Sequence, residues 1–177
     1  MSHLSAKGLV EVFTGDGKGK TSAALGVVLR ASGYGLRTYI VYFMKGDFPY
    51  GEQKVLSKLP NVTLAKFGFE SFTDPTNVKQ EEKEEAKRAL EAARNAAVSG
   101  DYDVVVLDEI NVAVAWKLVD IEDVIKLIQN KAEKVELILT GRYADSRLIE
   151  LADLVTIMVK VKHPYDKGIL SRKGIDH

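Results

Sequence analysis

The sequence predicts an α/β fold, a mostly parallel sheet with helices on both faces. Three observations carry this. Short apolar runs with strand character alternate with helical stretches along the chain. A glycine-rich turn joins the first strand to the first helix. The stretch DVVVL at 103–107 is a continuous apolar run, as expected of a strand covered on both faces. In such a sheet ligands bind at the carboxyl ends of the strands, so functional motifs belong there.

Each element has its own signal. Gly8 to Phe13 (GLVEVF) reads as a strand. Residues 20–32 read as a helix, closed by Gly33-Tyr34-Gly35. Arg37 to Met44 is β-branched and aromatic, hence a strand. Glu52 to Leu59 fits a short helix, Asn61 to Phe67 a strand, and Phe69 to Asn77 a loop. From Val78 to Ser99 the apolar stripe Val78, Ala86, Ala89, Leu90, Ala93, Ala97 marks a helix. On its solvated face Glu84 and Arg88 stand at the i,i+4 spacing of an ion pair. Helices are expected around 112–117 and 121–131, a strand from Val135 to Thr140, and a short helix from Asp145 to Ala152. Leu154 to Val161 reads as the last strand, and the tail to His177 as irregular.

Composition narrows the chemistry. At 177 residues, residues 1–177 read as a single domain. The hydrophobic fraction of 46% and charged fraction of 28% are ordinary for a globular chain. Lys plus Arg and Asp plus Glu are each 25, so no overall basic field attracts nucleic acid. Cysteine is absent, which removes disulfides, Cys-ligated zinc, iron–sulfur clusters and thiol nucleophiles. The three His stand at 3, 163 and 177, poor spacing for a His-rich metal site. No run approaches the roughly 18 apolar residues of a membrane span. The polar N-terminus lacks a secretory signal, so the expected location is cytoplasmic.

The strongest motif is Thr14-Gly15-Asp16-Gly17-Lys18-Gly19-Lys20-Thr21-Ser22. It follows a strand and opens a helix, the context of a P-loop. Its glycines let backbone N–H groups approach phosphate oxygens, and the helix N-terminus adds positive partial charge. Lys20 is expected to be exposed in the empty loop and to reach the terminal phosphates. The Thr21 hydroxyl is placed for Mg²⁺. Thr14 departs from the usual first glycine, and Lys20 rules out the dinucleotide pattern G-x-G-x-x-G.

A second motif, VVVLDE at 104–109, resembles a Walker B strand. It delivers Asp108 beside the P-loop as a metal carboxylate, with Glu109 as a second ligand or a water-polarising group. Thr140-Gly141-Arg142 ends a later strand, where Thr140 would sense a phosphate and Arg142 would neutralise one, or both form an ordinary β-to-α turn. His163 and Trp116 read most simply as structural.

Together these stretches resemble the P-loop ATP:cob(I)alamin (corrinoid) adenosyltransferases. The shared segments are TGDGKGKTSAALG at 14–26, VVLDEINVA at 105–113, LTGR at 139–142, LIELADLVT at 148–156 and KHPYDKGILSRKGID at 162–176. Lys45-Gly46 and Gly51-Glu52 also fit, and Thr14 belongs to the pattern. The resemblance implies a RecA-like P-loop NTPase fold, a homodimer, and transfer of the 5′-deoxyadenosyl group of ATP to the cobalt of a reduced corrinoid, with tripolyphosphate leaving. It implies ATP and corrinoid as substrates, Mg²⁺ as cofactor and a reduced flavoprotein as electron donor. The nucleotide would lie on residues 15–22 and Arg142, with Thr21, Asp108 and Glu109 on the metal. Where the family often reads G-F-T-W, this chain has Ser71-Phe72-Thr73-Asp74. Phe72 would press on the lower face of the corrin; a loop anchor is the competing reading. The alternative function is a P-loop nucleoside kinase or an ATPase of RecA-like fold. Zero Cys counts against the first, and Glu109 after Asp108 keeps the second open.

Overall fold

A computed structural model of the protein describes residues 7–46, 48–69 and 73–177. Side-chain alternation within short apolar strands organises it. In β1 (Val10–Thr14), Val12 faces one side and Phe13 the other. The same split divides Ile40 from Val41 in β2 (Thr38–Tyr42), Val106 from Leu107 in β4 (Val104–Asp108), and Ile138 from Leu139 in β5 (Glu136–Thr140). Both faces are therefore apolar and both must be covered.

Helix α1 (Lys20–Gly33) covers one face with Ala24, Val28 and Ala31, joined by Leu56 of α2 (Gly51–Leu56). The other face is covered by α3 (Gln80–Ser99), α4 (Ile110–Ala115), α5 (Ile121–Asn130) and α6 (Ser146–Leu151), through Ala89, Ala93, Ala113, Leu127 and Leu148. Small alanines on α3 let its backbone approach the sheet closely. Among the described residues six strands, with β3 (Val62–Lys66) and β6 (Leu154–Ile157), run in the order β3-β2-β4-β5-β1-β6, and every neighbouring pair is parallel.

The order still brings Asp108 beside the P-loop, where Thr21 Oγ1 donates to it, but not through neighbouring strands. The Asp108 strand does not adjoin the P-loop strand, because β5 lies between them, with Leu107 level with Leu139 and Val12 level with the same residue. The carboxyl end of β5 is thereby inserted into the site.

Other differences are local. The last strand stops at Ile157 rather than Val161, because β1 ends at Thr14 and leaves no neighbour to pair with. Val159 and Val161 are accordingly exposed. The helix expected at 112–117 begins earlier, at Ile110, because Glu109 turns the chain directly off β4 with a φ of 68°. On α3, Arg88 pairs with Glu85 rather than Glu84, whose carboxylate accepts from Gln80. The tail contains a 3₁₀ turn at Pro164–Lys167. No described helix is long and apolar enough to cross a membrane.

Candidate active site

The loop between β1 and α1 curls tightly because two glycines adopt positive φ, Gly15 at 99° and Gly19 at 121°. At Gly15 space is also decisive: a Cβ there would stand 2.4 Å from the Met158 carbonyl oxygen. The loop rests on the chain just after β6, where Gly17 N–H donates to Met158 O at 2.7 Å. Helix α1 then opens at Lys20, with its N-terminal amides facing the loop.

Lys20 is not exposed, contrary to the sequence expectation. It is 8% accessible, and its Nζ donates to the carbonyls of Gly15 and Gly17, each at 2.7 Å. The ammonium satisfies the curled loop's inward carbonyls. Burial pulls its pKa below the ordinary lysine value, opposed chiefly by the Glu109 carboxylate. Lys18 lines the cleft over this loop and is tied to the tail. Its Nζ donates to Ile175 O at 2.9 Å and pairs with the Asp176 carboxylate, which Arg172 Nε also reaches at 3.0 Å. The tail thus returns to the mouth of the loop.

Asp108, 1% accessible, is the hub. Its Oδ1 accepts from Thr21 Oγ1 at 2.9 Å and from Thr140 Oγ1 at 2.7 Å. Its Oδ2 accepts from Lys45 Nζ at 2.5 Å. A carboxylate at this depth needs such compensation. Thr140, wholly buried, also accepts from Glu109 N–H at 3.0 Å, so it is occupied by the Walker-type strand rather than turned toward a phosphate. Glu109 sits in left-handed backbone, a strained conformation for a non-glycine residue that is frequent at active sites. Burial, then the Asp108 charge, raises its pKa; Lys45, Lys20 and Arg142 oppose the rise. Burial lowers the pKa of Lys45, but Asp108 and Glu109 outweigh it and hold the ammonium above its ordinary value.

Two clefts meet at these groups. One, of about 310 Å³, runs over the loop from Asp16 to Ser22 and reaches Lys45, Glu109 and Arg142. The other, of about 390 Å³, shares Lys20, Lys45, Tyr50, Glu109 and Arg142 but is otherwise lined largely by Phe43, Trp116 and Tyr143, with Thr73 at its edge. The first suits a polyanion. The second suits a large, partly apolar ligand. Among the described residues no three His, Cys, Asp or Glu gather to hold a metal. A hard cation at the Thr21 and Asp108 oxygens would therefore take the rest of its shell from a ligand or from water.

The family model described as ATP:corrinoid adenosyltransferase BtuR/CobO/CobP matches residues 6–177. The chain belongs to the ATP:corrinoid adenosyltransferase family. It is 33% identical over 171 residues to the corrinoid adenosyltransferase of Escherichia coli K12, covering 97% of this chain and 86% of that one. It is 35% identical over 170 residues to the corrinoid adenosyltransferase of Pseudomonas aeruginosa, covering 96% and 84%. Among solved structures, EssC (ATPases 2 and 3) from Geobacillus thermodenitrificans matches with a TM-score of 0.51 at 15% identity. That match spans 96% of this chain and 35% of the EssC chain, and it speaks for the α/β fold alone.

For a corrinoid adenosyltransferase of this family, the geometry gathers most of the residues singled out in the sequence. Asp16, Gly17, Lys18, Gly19, Lys20, Thr21, Ser22, Glu109 and Arg142 share one cleft, Gly15 lies beneath it with its carbonyl on Lys20, and Asp108 is bonded to Thr21. Phe72 lies outside the described residues. Sequence reasoning missed Lys45 and Tyr50, which wall both clefts. It also gave Trp116 and His163 structural roles alone. Trp116 packs on the core and lines the larger cleft as well; His163 caps the 3₁₀ turn through Tyr165 N–H and borders the phosphate cleft. The available signal for Lys45 is the Lys45-Gly46 dipeptide that fits the family pattern.

Proposed function

We propose that this enzyme transfers the 5′-deoxyadenosyl group of ATP to the cobalt of a reduced corrinoid, releasing tripolyphosphate, in adenosylcobalamin biosynthesis or salvage. The observation that carries this reading is the junction of the two clefts. A phosphate cradle opens into an aromatic-lined space across a shared wall of Lys20, Lys45, Tyr50, Glu109 and Arg142. A reaction between an ATP carbon and a bulky metallomacrocycle needs such adjacency.

In this reading the amides of residues 15–22 and the start of α1 hold the triphosphate, with Lys18, Lys20 and Arg142 balancing its charge. The oxygen donors of Thr21, Asp108 and Glu109 suit Mg²⁺, and the Thr21–Asp108 contact brings two of them to one point. When bound, Mg²⁺ supplies charge stabilisation to the departing tripolyphosphate. Reduced cobalt is itself the nucleophile, so the protein needs no general base. Its residues align C5′ with cobalt, stabilise the leaving group and keep water away. Phe72 would press on the lower corrin face.

Residues 1–177 act as a single domain in this reading, supported by one continuous sheet with an apolar core on each face. We place it in the cytoplasm, as a homodimer served by a reduced flavoprotein donor. Exposed Leu154 and Ile157 on the edge strand β6 support pairing with a second copy.

The test is anaerobic incubation with MgATP, a corrinoid and a chemical reductant. A photolabile cobalt–carbon product should form with tripolyphosphate in step. Corrinoid-independent ADP as the sole nucleotide product refutes the transfer and leaves the nucleotide site standing.

A further inference from the structure

We propose that Lys45 is a further active-site residue: it is the resident counterion of Asp108, and it passes to the polyphosphate when nucleotide enters. The proposal rests on the ATP-binding reading above. Among the described residues the Asp108 carboxylate receives three donors, and only Lys45 carries charge. Thr21 and Thr140 hold Oδ1, leaving Oδ2 to Lys45 at 2.5 Å. Without Lys45, a nearly inaccessible carboxylate would stand unneutralised beside the phosphate cradle, repelling the anion that the cradle must admit.

The surroundings of Lys45 differ from those of a fixed structural pair. Its backbone is tied down, with N–H donating to Phe67 O at 3.0 Å, while its flexible stem carries the ammonium into the site. The Nζ lies 5.0 Å from the Tyr50 ring centroid and 5.6 Å from that of Tyr42, so aromatic faces cradle it away from water. Its side chain, 11% accessible, still walls both the phosphate cleft and the aromatic cleft. A divalent cation drawn to Thr21 and Asp108 repels this ammonium across a short gap. The incoming phosphates give it an anionic partner within the same cleft. Lys45 thereby keeps Asp108 neutralised before the nucleotide arrives and adds a cation to the leaving group afterwards.

The test compares Asp108→Asn with Asp108→Asn/Lys45→Met, using tripolyphosphate in chelator and calorimetric titration of the full chain. Removing the carboxylate first avoids leaving an unpaired buried charge. Tripolyphosphate should bind the double variant about tenfold more weakly, the scale of one charged hydrogen bond. Equal affinities would mean that Lys45 serves Asp108 alone, and would overturn the proposal. In a second measurement, electron paramagnetic resonance follows Mn²⁺ binding without nucleotide. Lys45→Met should bind Mn²⁺ more tightly than the unaltered chain, since the competing ammonium is gone. Unchanged or weaker Mn²⁺ binding in folded Lys45→Met counts against the counterion role. Failure of the unaltered chain to bind tripolyphosphate at all would instead sink the nucleotide reading, and this proposal with it.

Discussion

The Thr140 hydroxyl bonds Asp108 Oδ1 at 2.7 Å while accepting from Glu109 N–H at 3.0 Å. One side chain on β5 therefore fixes both the Asp108 carboxylate and the strained turn that follows it. The relationship exists only because β5 is inserted between β1 and β4. Thr140→Val keeps the shape but removes both bonds, leaving buried polar groups unpaired. The expected loss is about 1–3 kcal/mol of stability. Urea unfolding measures it, and MgATP affinity should fall in parallel. A variant as stable as the parent would show that the bonds contribute little.

Lys20→Ala should abolish productive MgATP binding without unfolding the chain. The ammonium is held by two loop carbonyls in the empty site, so some loop order is lost as well. Losing a charge-assisted contact to phosphate costs on the order of 1.5–3 kcal/mol of binding. Calorimetric titration with MgATP reads it, and circular dichroism checks the fold. Unchanged affinity in a folded variant would remove Lys20 from the phosphate site.

Far from the clefts, Glu11 on β1 and Glu136 on β5 share a carboxyl pair. Burial first, then the Glu136 hydrogen bond and charge, push Glu11 from 4.5 up to about 7, with Arg30 opposing. Between those values the folded chain keeps a proton that the unfolded chain has released. Stability therefore declines as pH rises through that window. Glu11→Gln stays neutral, so its advantage in Tm over the parent should grow from pH 4.5 to pH 8. Thermal unfolding curves that remain parallel across this range would refute the linkage.

Particular residues show where sequence reading sufficed. Val104 to Leu107 has no polar side chain, so burial on both faces followed, and Asp108 necessarily emerged at the strand's end. The glycine spacing at 15, 17 and 19 announced the phosphate loop because few other arrangements need that backbone. Lys45 was harder to read. A lysine after a strand ordinarily meets solvent, and only the sheet order places it against Asp108, 63 residues away in sequence. The Lys18–Asp176 contact spans 158 residues and depends on the path of an irregular tail. The extent of β6 was misread because an apolar run encodes willingness to pair, whereas the length of β1 decides how much pairing is offered.

The last prediction concerns Phe72 in the proposed corrin-binding role. Thr73, the next residue, edges the cleft lined by Trp116 and Tyr143. If Phe72 presses on the lower face of the corrin, it displaces the axial base and eases reduction of cob(II) to cob(I). Preformed cob(I) already lacks that ligand, so it gains little from Phe72. Phe72→Ala should therefore lose more activity with cob(II)alamin plus reductant than with preformed cob(I)alamin. Tyr143→Ala offers a contrast, since removing a cleft wall weakens corrinoid binding in either redox state and should lower both activities alike. Anaerobic assays with the two substrates, run on both variants, separate the roles. Equal losses for Phe72→Ala would make Phe72 a loop anchor and assign the displacement of the axial base to another residue.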